Sequence, residues 1–424
     1  MVPLGLYISV PFCRTKCTFC NFASGVFSRE AYERYVERIC MDVRQARSTA
    51  DRIGGEFDRF ADSIYLGGGT PTVLTPEHLA RIFNAVRETF QVSPEAEITV
   101  ECAPGTLTPE MLDTLLRCGV NRVSLGVQSF VDQESRSVGR LHTREITLSD
   151  IAQLRSAGIS NISLDLIAGL PHQTSESWAY SLGETANSGV PHVSVYMLEV
   201  DEDSRLGREL MAGGTRYHAH FVPADDLTAD LYIQAVETLN SAGVAQYEIS
   251  NFGRTAYQSR HNLKYWTRQP YMGFGVDAHS MLEAATDPYV LLGAEDALNE
   301  QQADSGQAGE APCAVSQAGV DAVRFSTSDS IEAYMKGVPM RRTLVRTREA
   351  LEEEFFLGLR LNRGVNLREL NKRYRLPASL NTAIADLTSW GLLAREAELL
   401  RLTDRGRLLS NEVFQRFITA PVPQ

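Results

Sequence analysis

Residues 4–20 read LGLYISVPFCRTKCTFC, an apolar run that ends on three closely spaced cysteines, Cys13, Cys17 and Cys20. Leu4–Phe12 has the length and apolar make-up of a strand. The cysteines follow as C-x3-C-x2-C, so one short loop carries three thiols. Three thiolates hold three irons of a cubane [4Fe-4S] cluster and leave the fourth iron without a protein ligand. S-adenosylmethionine (SAM) can chelate that open iron through its amino and carboxylate groups. The cluster can then pass an electron into the sulfonium and cleave a C–S bond. A closed structural zinc site takes four ligands in paired spacings, and the fourth candidate after Cys20 is missing, position 22 being Phe. Cys13, Cys17 and Cys20 are therefore read as cluster ligands. Cys40, Cys102, Cys118 and Cys313 are read as packing residues or a surface thiol.

Outward from this loop, short apolar runs alternate with helical patterns. Further strands are expected at Asp62–Leu66, Glu97–Ala103, Arg122–Gln128, Asn161–Ile167 and His192–Leu198. Between them lie amphipathic stretches at Arg29–Ala50, Pro76–Phe90, Pro109–Cys118, Arg144–Ala157 and Ser175–Ser188. Such alternation predicts βαβ units and a parallel sheet. Several strands end in Gly-rich or polar turns: Gly67-Gly68-Gly69-Thr70, Glu101–Thr106 and Gln128-Ser129-Phe130. Ligands of α/β sheets and barrels bind at the C-terminal ends of strands, so one rim gathers the unusual residues. The glycines let a ligand approach the backbone and would grip the amino end of SAM; the plain alternative is a tight strand–helix turn. Glu101 could accept from the SAM amino group or ribose, Arg140 could pair with a carboxylate, and Asp165 could accept from ribose hydroxyls. Each of these, taken singly, has a solvated or capping role as its alternative.

The rest of the chain predicts a helix at Asp225–Ala242, a strand at Gln246–Ile249, a loop-like segment at His261–Trp266 and a Gly-rich turn at Gly273-Phe274-Gly275. Glu283–Val323 lacks periodicity and reads as an exposed insertion. Helices at Glu349–Leu361, Leu367–Tyr374 and Ser379–Trp390, then a hairpin of Leu392–Arg395 and Leu399–Leu402, suggest a small winged-helix domain. The expected division is a core barrel at 1–240, a connecting segment at 241–282, the insertion at 283–323 and a C-terminal domain at 324–424.

The 424 residues, 43% hydrophobic and 22% charged, have the composition of an ordinary globular protein. The net charge of −12 argues against nucleic acid as the main partner. From Arg341 onward fifteen Lys/Arg stand against ten Asp/Glu; this local excess would allow nucleic-acid binding by the winged helix, but a packing or lid role is preferred. No run of eighteen apolar residues occurs. The N-terminus lacks a basic stretch and a small-residue cleavage site, and the odd count of seven cysteines fits a reducing compartment. A cytoplasmic location is expected.

Together these residues resemble the radical SAM superfamily, and within it the branch that holds oxygen-independent coproporphyrinogen III oxidase and its haem-chaperone relatives, the HemW family. The matching features are Tyr7 six residues before Cys13, the C-x3-C-x2-C motif, GGGTPT at Gly67–Thr72, GVQSF at Gly126–Phe130 and DLIAGLP at Asp165–Pro171. The likeness spans most of the chain except Glu283–Val323. It implies an α/β fold: a partial (β/α)6 TIM-like barrel with a C-terminal winged-helix-like domain. By motif position it puts the SAM contacts on Tyr7, Gly68, Gly69, Thr70, Glu101, Gln128, Arg140 and Asp165.

Three departures separate the chain from the oxidase. The oxidase has a further cysteine where Phe22 stands here, and a long N-terminal arm where only six residues precede Tyr7. The third is His261-Asn262-Leu263-Lys264-Tyr265-Trp266, which matches the HNxxYW signature of the haem-chaperone branch. His is a normal axial ligand of haem iron, and Tyr and Trp rings pack on a porphyrin. The plain alternative makes His261 a hydrogen-bonded structural residue and Tyr265 and Trp266 core. His279 follows the Gly273–Gly275 turn and is a candidate for the same cavity. The resemblance implies haem as cargo, delivered to an acceptor haem protein of the respiratory chain that could be membrane-bound, with the cluster and SAM regulating this or supporting a homodimer. The competing reading is the oxidase activity of porphyrin biosynthesis, in which a 5′-deoxyadenosyl radical starts decarboxylation of propionate side chains.

Overall fold

The computed structural model describes residues 2–286 and 319–418. Among them thirteen strands form one sheet. In chain order these begin with β1 (Leu4–Val10), β2 (Gly55–Glu56), β3 (Phe60–Gly68), β4 (Gln91–Cys102), β5 (Arg122–Gln128), β6 (Asn161–Ala168) and β7 (His192–Met197). They continue with β8 (Ala245–Gln246), β9 (Asn251–Gly253), β10 (Tyr271–Phe274), β11 (His279–Ala284), β12 (Val320–Ser326) and β13 (Arg341–Arg346). The order is β13-β12-β11-β10-β1-β3-β4-β5-β6-β7-β9-β8, with β2 added to β11. From β10 to β7 every pairing is parallel. The two ends of this order do not pair, so the barrel stays open.

The six expected barrel strands are all present, as β1 and β3–β7. The helices between them start where the sequence supplies caps. Ser28, Thr75, Thr108, Thr143 and Thr174 each accept a hydrogen bond from an amide of the first turn of the helices Arg29–Arg44, Pro76–Thr89, Pro109–Arg117, Arg144–Ser156 and Ser175–Ser188. Each such cap contributes about 1 kcal/mol. Strand alternation places the core: Leu4, Leu6, Ile8 and Val10 of β1 are fully buried under the helices, which turns Gly5, Tyr7 and Ser9 to the barrel interior.

Several expectations are corrected. The helix expected over Arg29–Ala50 is two, Arg29–Arg44 and Ala46–Ile53, broken at Gln45. The strand expected at Gln246–Ile249 is instead the antiparallel pair β8 and β9, which leaves Tyr247–Ser250 in the connection. The Gly273–Gly275 turn is largely strand: β10 lies parallel to β1, Tyr7 opposite Gly273, and extends the sheet by one strand beyond six. A side chain at position 273 would come within 3.1 Å of Ala278 Cβ, so the glycine serves close strand packing. His261–Trp266 is a helix, Arg260–Trp266, capped by Ser259, whose hydroxyl accepts from the Asn262 amide. The expected insertion at Glu283–Val323 lies mostly outside the described residues; at its margins Glu283–Ala284 belongs to β11 and Val320–Val323 to β12.

The C-terminal part follows its expected order. Helices Thr347–Gly358, Leu367–Tyr374 and Ala378–Ser389 pack with a three-stranded sheet, β14 (Val365–Asn366), β15 (Leu393–Glu396) and β16 (Leu399–Leu402), in the order β14-β16-β15. It has its own apolar core around Phe355, Leu387, Leu400 and Val413. No helix among the described residues is long and apolar enough to cross a membrane.

Candidate functional site

The cysteine loop leaves the C-terminal end of β1 and is tied down from several directions. Cys13 N–H donates to Gly25 O at 2.9 Å and Thr18 N–H to Val138 O at 3.1 Å. Leu206 N–H donates to Thr18 O at 2.8 Å, and the Arg205 guanidinium donates to Lys16 O. Cys13, Cys17 and Cys20 are free thiols of intermediate exposure, whereas Cys40, Cys102 and Cys118 are buried as packing residues; Cys313 lies outside the described residues.

Each sulfur has a polar partner. Thr70 Oγ1 donates to Cys13 Sγ at 3.7 Å, Arg140 Nη1 to Cys17 Sγ at 3.6 Å, and Ser24 Oγ lies 3.6 Å from Cys20 Sγ. Burial pushes the Cys13 thiol up, the Thr70 and Ser24 hydroxyls pull it down, and Cys17 and Cys20 are near enough to raise it. Among the described residues no three His, Cys, Asp or Glu side chains close around a single metal ion. The donor set nevertheless fits an iron–sulfur cluster: three soft sulfurs, a cation beside one of them, and hydroxyl donors of the kind that stabilise thiolate ligands.

The glycine turn rises beside this loop. Gly69 N–H donates to Val10 O at 2.9 Å and Thr70 N–H to Phe12 O at 2.8 Å, which locks the end of β3 to the end of β1. Gly68 has φ +98°, and a Cβ there would meet Ser9 Oγ at 2.9 Å and Tyr7 Oη at 3.3 Å. Only glycine leaves this approach open.

Behind the turn stands a half-buried acidic pair, Glu101 and Asp165. Tyr65 Oη donates to Glu101 Oε1 at 2.8 Å and Gly68 N–H to Glu101 Oε2 at 3.2 Å. Burial, and then Asp165, push the Glu101 carboxyl up to about 7. Ser124 Oγ donates to both Asp165 oxygens, at 3.0 and 3.1 Å, while burial raises Asp165 and Ser194, Ser124, Arg122 and Arg140 pull it down. Asp165 lies within β6 rather than at its end. Gln128 closes β5 at φ +69°, beyond a register slip after Gly126; such bulges re-aim side chains at functional rims. Arg140 donates to Gly126 O as well as to Cys17, and its Nε is buried without a partner. The eight residues assigned to SAM by motif thus share one rim with the cysteines.

Strand-end reasoning did not reach Tyr65, Arg122, Ser124 or Ser194, which support this rim from the barrel interior. A signal for them exists. Along β5 Arg122, Ser124 and Gln128 alternate with Val123, Leu125 and Val127, and Glu97, Thr99 and Glu101 do the same on β4. Period-two polarity of this kind marks strands with one polar face, here turned inward.

The HNxxYW helix lies at the opposite end of the barrel. His261 is 1% exposed. Its Nδ1 lies 3.0 Å from Ser63 Oγ and its Nε2 2.8 Å from Tyr265 Oη. Its backbone N–H donates to Glu97 Oε1 at 3.2 Å, and burial drives its imidazole down to about 3. Lys264 Nζ bonds Asp62 Oδ1 at 2.8 Å and Pro3 O at 2.8 Å. Gly5 makes room, since a Cβ there would strike Lys264 Cδ at 2.7 Å. Gly5, Ser63 and Glu97 lie side by side in one layer of the sheet, Gly5 opposite Ser63 and Ser63 opposite Glu97, and this helix closes the barrel floor beneath them. Both ring nitrogens of His261 are engaged, and ligation of iron by it requires one of those bonds to break. Asn262 is half-buried, its amide held by Ser259.

Tyr265 and Trp266 are half-buried. With Tyr7, Tyr271, His279 and Arg324 they line a cavity of about 340 Å³, so His279 does line the cavity expected for it. Tyr265 packs edge-on against Tyr271 at 4.5 Å, and the Arg360 guanidinium lies 4.3 Å over the Trp266 ring. Tyr7 joins this cavity to the rim, since its hydroxyl also borders Gly68.

Comparison with known proteins places these observations. Residues 7–182 match the radical SAM superfamily model, and residues 345–409 match that of the HemN C-terminal domain. The chain is 32% identical over 416 residues to "Heme chaperone HemW" of Bacillus subtilis (strain 168), covering 97% of this chain and 98% of that one. It is 30% identical over 398 residues to "Heme chaperone HemW" of Synechocystis sp., covering 92% and 85%. Among solved structures, coproporphyrinogen III oxidase (HemN) from Escherichia coli superposes with a TM-score of 0.76 at 22% identity, over 98% of this chain and 90% of that one, which shows the same fold.

Proposed function

This chain belongs to the radical SAM superfamily and, within it, to the HemW family, and from that membership we propose that it is a haem chaperone. It binds haem in the cavity lined by Tyr265 and Trp266 and hands it to an acceptor haem protein. The observation that carries this reading is the continuity through Tyr7, which lets a porphyrin in the cavity and SAM at the rim share one wall. The names of the relatives support the cargo and the hand-over.

Cys13, Cys17 and Cys20 would hold the [4Fe-4S] cluster, which when bound supplies a single electron to the SAM sulfonium. Arg140 beside Cys17 stabilises thiolate charge and would pair with the SAM carboxylate. Gly68 and Gly69 expose backbone to the amino end of SAM, beside the Thr70 and Tyr7 hydroxyls. Glu101 accepts from the SAM amino group or a ribose hydroxyl, and Asp165 and Gln128 from the ribose side. The acceptor would be a haem protein of the respiratory chain, met from the cytoplasm at the membrane surface, and a homodimer is the form to look for.

The test is anaerobic purification and reconstitution, iron and sulfide analysis, then haem titration with and without SAM. About four irons per chain and a Soret shift on haem addition are expected, with haem passed on to an apo-haem protein. Cys13→Ser should lose the cluster. Robust conversion of coproporphyrinogen III to protoporphyrinogen by the reduced, SAM-loaded protein would overturn the chaperone reading in favour of the oxidase.

A further inference from the structure

The surroundings of two histidines tell which of them binds the cargo's iron, an assignment that rests on haem being the cargo. An axial ligand must present a free imidazole nitrogen to the iron, with room for the porphyrin plane across it. His261 offers neither: it is 1% exposed at the barrel floor, with Ser63 on one ring nitrogen and Tyr265 on the other. His279 differs on each count. Its side chain is 69% exposed, and the Asp277 carboxylate, which lines the same cavity, lies 3.8 Å from Nε2, beyond hydrogen-bond distance. No hydrogen bond to its ring occurs among the described residues. Both ring nitrogens are therefore free to turn to an iron in the cavity.

The rest of the cavity suits the remainder of a haem. Tyr265, Trp266 and Tyr271 give it aromatic walls of the kind that pack on a porphyrin face. Arg324 uses donors on Glu353 Oε1 at 2.8 Å and Tyr271 Oη at 3.1 Å. A guanidinium has five N–H groups, so others remain for a porphyrin propionate. A volume of about 340 Å³ is at the small end for ligand sites and takes one edge of a haem, leaving the other for the acceptor.

We propose that His279, rather than His261, ligates the haem iron, that Arg324 takes a propionate, and that His261 is a positioning residue holding Tyr265 at the cavity wall. The test titrates ferric haem into full-length reconstituted wild-type protein and the His279→Ala, His261→Gln and Arg324→Gln variants, following the Soret band and the electron paramagnetic resonance of the bound iron. In His279→Ala the histidine-ligated spectrum should disappear, affinity should fall by at least roughly tenfold, and added imidazole should restore the spectrum. His261→Gln should keep the histidine-ligated spectrum while unfolding at lower temperature. Arg324→Gln should weaken binding without changing the iron signal. An unchanged spectrum and affinity in His279→Ala overturns the proposal while leaving haem binding intact. A wild-type protein that shows no Soret change brings down the haem reading itself and this assignment with it.

Discussion

Glu101 carries the least comfortable charge at the rim. Its carboxyl, held up to about 7 by burial and by Asp165, sits near 4.3 in an unfolded chain. Between those values the folded protein binds more protons than the unfolded one, so this group's contribution to stability falls as pH rises towards 7 and is level above it. An N–H or O–H of the bound SAM, from its iron-bound amino group or a ribose hydroxyl, donating to Glu101 favours the ionised form. SAM affinity of the cluster-loaded protein should therefore rise as pH increases towards about 7, by up to tenfold per pH unit, and then level off. Glu101→Gln should bind SAM more weakly and lose this pH dependence, while the ligand-free variant gains stability near neutral pH relative to wild type. Calorimetric titration across this range checks it; the same pH response in Glu101→Gln would assign the effect elsewhere.

At the scale of elements, glycines decide how close strands and ligands come. A Cβ on Gly69 would meet Val10 O and Phe12 O, each at 2.8 Å. Both are backbone atoms that hold β1 to the glycine turn and cannot swing away. Gly69→Ala should cost about 1–3 kcal/mol and lower the iron content after reconstitution, because the cysteine loop hangs from the same strand end. Gly183 is the contrast: it lies inside the helix Ser175–Ser188 with nothing within 4 Å of its added Cβ. Gly183→Ala should stabilise by about 0.5–1 kcal/mol with cluster content unchanged. Denaturant titration together with iron analysis separates the two. The HNxxYW helix shows why short elements escape a sequence reading. Seven residues give barely two turns, His, Asn, Tyr and Trp are indifferent helix formers, and the Ser259 cap was the one local sign. What holds the helix are bonds to Ser63, Glu97 and Asp62 on distant strands.

Over the whole molecule the barrel and the C-terminal part are joined by a buried charge network just past that helix. Arg268, its side chain 3% exposed, pairs with Glu353 at 2.7 Å and Asp321 at 3.1 Å, and Arg324 pairs with Glu353 at 2.8 Å. Removing one partner of such a network leaves buried charge uncompensated. Arg268→Leu should destabilise by about 3–5 kcal/mol and open the C-terminal part to limited proteolysis before the barrel. Arg268→Lys, which keeps the charge but not the fork, should fall between. Equal protease resistance of Arg268→Leu and wild type would show that apolar contacts alone hold the two parts together.

Within this molecule the sequence alone determined whatever depends on neighbours along the chain. The three thiols share one loop because only six residues lie between the first and the last, six strands and their helices follow from residue periods and caps, and GGGTPT marks a backbone that a ligand can approach. Only the tertiary structure decided what depends on partners far apart in the chain. It turned the Gly273 segment into a seventh parallel strand beside β1, set Glu101 against Asp165, and buried His261 against Ser63, 198 residues away, while leaving His279 open to the cavity. The physical reason is that spacing and propensity act over a few residues, whereas burial, charge and the direction of a side chain are set by whatever the fold brings against it.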